Sequence, residues 1–165
     1  MTKKLVALVM ALMMLLSVTA LAETADTSDW ETYSFEDAQL TISCPADMAV
    51  VELTDEQTEA GICFATAAAD GSLSMALYCF DPEGATLADA QAEMEAAEGY
   101  QCAANQVNGI DVVAFSTVAN ETTVLGCLVM GADGYVYQFM FMPTNDAGTQ
   151  MADQIISTLN VLEAE

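Results

Sequence analysis

The 165-residue chain has no histidine, and its only two basic residues are Lys3 and Lys4. From residue 5 onward there is no Lys, Arg or His. Each absence removes a class of chemistry. Without imidazole there is no His general base and no Ser–His or Cys–His nucleophile pair. Without Lys or Arg there is no Schiff-base amine and no bidentate clamp on a carboxylate or phosphate. Nucleic acid is excluded as a partner, because phosphate contacts are built from Lys and Arg. Zinc takes His or clustered Cys, and the five cysteines are scattered from Cys44 to Cys127 with no C-x-x-C. The spacing of an EF-hand loop and the Asp-Thr-Gly or Asp-Ser-Gly of an aspartic protease are also missing.

What is present begins with an export signal. Met1-Thr2-Lys3-Lys4 is a short basic segment, and Leu5 to Val18 is an apolar run of 14 residues. Ala20 and Ala22 are the small residues that a signal peptidase reads, which places cleavage between Ala22 and Glu23. The run is shorter than the roughly 20 residues that span a bilayer. No Cys follows it to carry a lipid. The sequence therefore predicts residues 1–22 as a signal peptide and a secreted or extracytoplasmic product without a lipid anchor. All 25 Asp and Glu lie at or after Glu23, so loss of the two lysines takes the formal charge from −23 to about −25. Anionic membrane surfaces and anionic polymers repel such a body.

The remainder suits one domain with a substantial core. Residues 23–32 read as an acidic, mobile lead-in, and residues 33–165 as a single α+β domain. Leu40 to Cys44 alternates apolar and polar at the strand period and stops at Pro45, with Tyr33 to Phe35 as a short pairing strand. Val50 to Leu53 is another short apolar run, and Thr54 to Gln57 has capping-box spacing. Ile62 to Ala68 and Leu73 to Phe80 flank Asp70-Gly71, a hairpin signal that sets Phe64 opposite Leu77 and Ile62 opposite Cys79. Thr86, followed by Asp89, predicts the start of a helix with Leu87, Ala90, Met94 and Ala97 on one face, ended by Gly99. Strands follow over 100–107, 110–118 and 124–130, the first two joined by Asn108-Gly109. Asp133-Gly134 turns the chain into a strand over 135–142. The last two strands are apolar on both faces and are predicted to be the centre of the sheet, covered on both sides. A closing helix carries Met151, Ala152, Ile155, Ile156, Leu159 and Leu162, with Asp146 or Thr149 as cap. The predicted fold is α+β, an antiparallel sheet of six or more strands with two main helices packed on it, an α/β sandwich.

The strand from Leu40 to Cys44 ending in Pro45-Ala46-Asp47 resembles the PsbP-like superfamily. So do the late strand Gly134-Tyr135-Val136-Tyr137-Gln138-Phe139 and the closing helix Gln154-Ile155-Ile156-Ser157-Thr158-Leu159. That group includes extrinsic photosystem proteins, a Ran-binding protein and small bacterial exported domains. The resemblance implies the fold more than a function, since members of that group bind unlike partners and most have no known catalytic activity.

The remaining candidates for chemistry are thiols and carboxylates. Cys44, Cys79 and Cys127 share strand faces with apolar residues, the pattern of buried free thiols. An odd count also leaves room for a partial disulfide set in an exported protein. A low thiol pKa needs a neighbouring cation or a helix N-terminus, and no side-chain cation exists here. Acid groups stand at Asp26-Asp29-Glu31, Asp55-Glu56-Glu59 and Glu93-Glu95-Glu98, and each reads as a solvated face. The sequence singles out no catalytic residue, no metal ligand and no cofactor. Its reading is an exported, highly acidic, non-enzymatic accessory or binding module. The open partners are neutral sugars, cationic peptides or basic proteins, and weakly held divalent cations. The alternative is a hydrolase built on a carboxylate pair, or a protein specialised to bind divalent cations.

Overall fold

Alternating apolar residues dictate most of the architecture, which is seen in a computed structural model describing residues 27–119 and 122–162. The expected signal segment 1–22, the cleavage residues Ala20, Ala22 and Glu23, and the lead-in as far as Asp26 lie outside the described residues. The elements run β1 (Trp30–Phe35), β2 (Leu40–Pro45), β3 (Met48–Val50), α1 (Asp55–Glu59), β4 (Ile62–Ala68) and β5 (Leu73–Phe80). After these come α2 (Leu87–Ala96), β6 (Gln101–Val107), β7 (Ile110–Ala119), β8 (Thr122–Met130), β9 (Val136–Pro143), α3 (Asp146–Ser157) and β10 (Asn160–Val161). The fold is α+β. Seven antiparallel strands form one sheet in the order β3-β4-β5-β9-β8-β7-β6, and β1-β2-β10 form a second, smaller sheet.

The expected hairpin β8–β9 occupies the middle, with β9 central between β5 and β8. Tyr137, Phe139 and Phe141 point to one face, into a core with Leu73, Met75, Leu77, Leu125, Cys127 and Val129. The cover on that side comes from β2 through Leu40, Ile42 and Cys44 and from α3 through Ala152, Ile155 and Leu159. Val136 points to the opposite face, where Val113, Phe115, Val124 and Leu128 pack with Leu87, Ala90 and Met94 of α2. The sandwich therefore has three layers, with the small sheet and α3 on one side and α2 on the other. The second sheet is an addition to the predicted single sheet with two helices. Its strands are short, and β10 has only two residues, too few for a periodic signal.

The turns follow local chemistry. Asn108 (φ 49°) and Gly109 (φ 82°) both take the left-handed conformation that a two-residue hairpin needs. Asn108 Nδ2 also donates to the carbonyls of Ser157 (3.0 Å) and Leu159 (2.8 Å), tying that turn to the end of α3. Thr86 and Asp89 form a full capping box at α2, as do Thr54 and Gln57 at α1. Gly126 is required by packing. A Cβ there would collide with the Phe139 carbonyl and meet the Phe115 ring at 2.6 Å.

Four local expectations are corrected. β1 begins at Trp30, inside the segment read as lead-in, because pairing with β2 rests on backbone bonds and on Thr32 Oγ1 with Ser43 Oγ (2.9 Å). The β4–β5 register matches at Phe64↔Leu77 but shifts at a bulge, so Ile62 faces Tyr78 and not Cys79. The bulge forms where Gly61, at φ 89°, accepts from the Cys79 N–H (3.1 Å). The cap of α3 is Asn145, whose side chain accepts from Gly148 N (2.9 Å), and not Asp146 or Thr149. Of the run over 50–53 only Val50 is in a strand, and that strand starts at Met48.

Candidate functional site

Cys44 and Cys127 are buried packing residues, and Cys63 is exposed. All five cysteines are free. Burial pushes Cys44 and Cys127 up to about 12, and Cys63 and Cys102 also move up. For Cys102 the Glu95 carboxylate adds to the effect of burial. A thiol held in the protonated form is a poor nucleophile. The Thr66 hydroxyl is buried without a hydrogen-bond partner of good geometry. The group it acts on is the Cys44 thiol, which it lowers slightly against the larger effect of burial.

The carboxylates behave as turn and cap groups. Asp70 accepts from Ser72 N (2.9 Å), and Asp89 accepts from Thr86 N (2.8 Å) and its hydroxyl (2.7 Å). These bonds hold both acids below the usual carboxylate range. Asp153, half-buried on α3, is pushed up by burial. Tyr137 Oη donates to Asp133 Oδ2 at 2.8 Å. Burial first, then that bond and the nearby Cys79, push the phenol well above its ordinary value. Asp55 and Glu56 sit in the first turn of α1, where the helix dipole favours them. Glu95 accepts from Gln91 Nε2 (2.7 Å) on α2. Of the lead-in acids, Glu31 accepts from the Tyr33 hydroxyl (3.0 Å), and Asp26 is outside the described residues. Among the described residues no three His, Cys, Asp or Glu side chains converge as metal ligands do.

The distinctive surface is apolar. On its second face the large sheet carries α2 against β6, β7 and β8, with Val136, Met140 and Met142 of β9 in the same core. The strand register sets two rows across the remaining strands. Ala65 pairs with Ala76 and Ala76 with Met140. Val51 extends this row, since its N–H donates to the Ala65 carbonyl (2.9 Å). The other row is Ala49, Ala67, Ser74 and Met142. The side chains are small except at the methionines, which border the core under α2. Val51 is 39% exposed and Phe80, farther along β5 on the same face, 41%. Tyr78 and Gln138 stand on the same face, between the Ala76–Met140 row and Phe80.

The hairpin signal at Asp70-Gly71 sets Phe64 opposite Leu77 and says nothing of the opposite stripe. That stripe carries the small residues Ala65, Ala67, Ser74 and Ala76 and continues along β5 as Tyr78 and Phe80.

Comparison with known proteins gives the fold a name. No family model matches the chain, and no curated protein matches it. Among solved structures, the solution structure of cyanobacterial PsbP (CyanoP) from Synechocystis sp. PCC 6803 superposes with a TM-score of 0.61 at 13% identity. That match covers 87% of this chain and 98% of that one. A protein from Bacteroides thetaiotaomicron gives a TM-score of 0.55 at 14% identity, over 81% of this chain and 48% of that chain. LpqN of Mycobacterium tuberculosis, described as involved in cell envelope biogenesis, gives 0.47 at 16% identity, over 74% and 82%. At these identities the likeness is one of architecture, and the chain has a PsbP-like fold.

Proposed function

We propose that this chain is an exported, non-enzymatic accessory module that binds a basic partner outside the cytoplasm after cleavage between Ala22 and Glu23. The observation that carries the reading is the uncovered part of the large sheet, an apolar shelf on a body that has no basic side chain after Lys4. Exposed contiguous apolar surface of this kind marks an interaction site. The raised thiol pKa values and the use of acids as caps fit binding rather than turnover. No helix among the described residues is long and apolar enough to cross a membrane, in keeping with a product released from its signal. Divalent cations act here as diffuse counterions, not as a built site.

The test uses the chain from Glu23 onward as bait against the culture medium and the cell-envelope fraction of its source. The expected result is a basic protein or peptide retained at low salt and released at high salt. Recovery of nothing beyond what an unrelated, equally acidic protein retains would contradict the reading.

A further inference from the structure

We propose that Asn108 is a self-modification site: a clamp at the end of α3 holds its amide back from attack by the Gly109 nitrogen, and opening of the C-terminal segment releases it to react. The product is aspartate or isoaspartate at that position, and neither rebuilds the clamp.

The sequence supplies the reactive pair. Of the five asparagines only Asn108 precedes Gly, while Asn105, Asn120, Asn145 and Asn160 precede Gln, Glu, Asp and Val. Gly109 has no Cβ to crowd the approach of its nitrogen to the neighbouring side chain. Both residues are exposed at the tip of the β6–β7 hairpin, where water and hydroxide reach them.

The reaction consumes only water. Hydroxide takes the proton of the Gly109 amide, and the nitrogen bonds to Cγ of Asn108. The Cγ–Nδ2 bond breaks, and Nδ2 takes a proton from water and leaves as ammonia. The two residues are then joined in a succinimide ring, which water opens. Breaking the bond from the ring nitrogen to Cγ gives aspartate, and breaking its bond to the main-chain carbonyl carbon gives isoaspartate. No oxidant or reductant enters.

The clamp controls the first step. Asn108 Nδ2 donates to the carbonyls of Ser157 (3.0 Å) and Leu159 (2.8 Å). Those two bonds fix the amide group that must turn toward the Gly109 nitrogen and then depart. The carbonyls belong to a lightly held segment. β10, which follows Leu159, has two exposed residues and pairs with β2 at two positions. Short, exposed pairing of this kind opens locally without global unfolding. Leu159 is buried and anchors the segment when it closes.

The product keeps the clamp from closing again. A carboxylate offers only acceptors to the two carbonyl oxygens. It also adds a negative charge, with no Lys, Arg or His after Lys4 to meet it. Aspartate tolerates the left-handed backbone at this position (φ 49°) as asparagine does, so the turn survives while the clamp is lost. Isoaspartate adds a main-chain carbon to a turn whose register depends on its length. The change is one-way and leaves the end of the chain unlatched.

The test follows the chain from Glu23 onward, which keeps every described element, in mildly alkaline buffer. Peptide mass and enzymatic detection of isoaspartate read the conversion. A synthetic peptide with the sequence of residues 101–115 gives the rate without the clamp. Val161→Pro disturbs β10 at a residue that is 53% exposed, so the rest of the fold is spared. The expected result is conversion at Asn108 ahead of the other asparagines, about tenfold slower than in the peptide, the scale of two hydrogen bonds, and faster again in Val161→Pro. Asn108→Asp imitates one product and is read by hydrogen exchange. The Leu159 amide, bonded to the Ile156 carbonyl (3.0 Å), and the Leu162 amide, bonded to the Gln39 carbonyl (2.9 Å), report on the segment. Both should exchange about tenfold faster while the amides of β8 and β9 hold. A folded-chain rate equal to that of the peptide, a rate in Val161→Pro no faster than in the unaltered chain, or unchanged exchange at Leu159 and Leu162 would overturn the proposal. Equal acceleration of exchange in β8 and β9 would overturn it too, since the loss would then be global.

Discussion

Truncation of Phe139 to Ala removes the ring at the centre of the fold. The residue is 0% exposed. It stands on β9 between Leu77 of β5 and Cys127 of β8, and its ring meets Phe35 of the small sheet edge-on with centroids 6.0 Å apart. Both neighbouring strands are fixed by ladders on their far sides, so the cavity has little room to collapse. A buried Phe→Ala change of this kind costs about 3–5 kcal/mol. Part of that is the aromatic pair, worth about 0.5–1.5 kcal/mol beyond area. In a domain of this size each kcal/mol moves the melting temperature by roughly 3–4 °C, so the expected fall is about 10–20 °C. Urea unfolding followed by the single tryptophan, Trp30, which packs on this core, reads the free energy directly with an unchanged slope. Tyr135→Ala is the companion. Tyr135 precedes β9, is 42% exposed, and should change stability by no more than about 0.5 kcal/mol. A loss below about 1 kcal/mol for Phe139→Ala, or a Tyr135→Ala loss as large, would refute the placement of β9 at the centre.

Three further outcomes are expected. Thr66→Val removes a buried hydroxyl without a well-placed partner (Thr66 is 1% exposed) and should raise stability by about 1 kcal/mol, while a loss in the same urea assay would show that the hydroxyl is satisfied. Burial raises the Asp153 pKa in the folded state, so that carboxyl destabilises at neutral pH and its penalty disappears as pH falls through the raised value. Asp153→Asn should then raise the melting temperature at pH 7 and leave it unchanged near pH 3, and a gain independent of pH would exclude titration as the cause. Asp70 and Asp89 have lowered values and act in the opposite sense, losing their contribution as pH falls. Alkylation of the native protein without reductant, read by mass, should label the exposed Cys63 first and Cys44 and Cys127 only on unfolding. Two intact disulfides would contradict the free-thiol assignment, and replacing all five Cys by Ala should cost less per site than the about 2–5 kcal/mol of a lost native disulfide.

The extent to which the fold is legible in the sequence depends on which interactions are local. Asn108-Gly109, Asp70-Gly71 and the Thr86–Asp89 box each encode a turn or cap in adjacent residues, and the strands they join fall within about two residues of their expected ends. The central place of β8 and β9 is legible because both carry apolar side chains on both faces. β10 is invisible, since two residues have no period and their pairing with β2 is an association across about 120 positions of sequence. The bulge at Ile62 depends on where the Gly61 carbonyl meets the β5 backbone, which no local pattern states. The shelf was hidden for a different reason. Alanine is read as neutral filler in a strand, and only the pairing of Ala65 with Ala76 and Met140 shows that the small residues lie side by side. The pKa shifts also depend on tertiary placement: Asp153 looks like any helix acid until packing of α3 half-buries it.

Beyond Lys4 an apolar core holds together a body of acids with no Lys, Arg or His to offset them, so the offsetting charge comes from outside. Mutual repulsion of that kind is screened over about 10 Å at 0.1 M salt and about 3 Å at 1 M. The direct measurement is the melting temperature of the chain from Glu23 onward at pH 7, in low salt, in added sodium chloride, and in magnesium at matched ionic strength. The account predicts a melting temperature that rises with sodium chloride and rises further with magnesium. A melting temperature that falls as sodium chloride is added would contradict it.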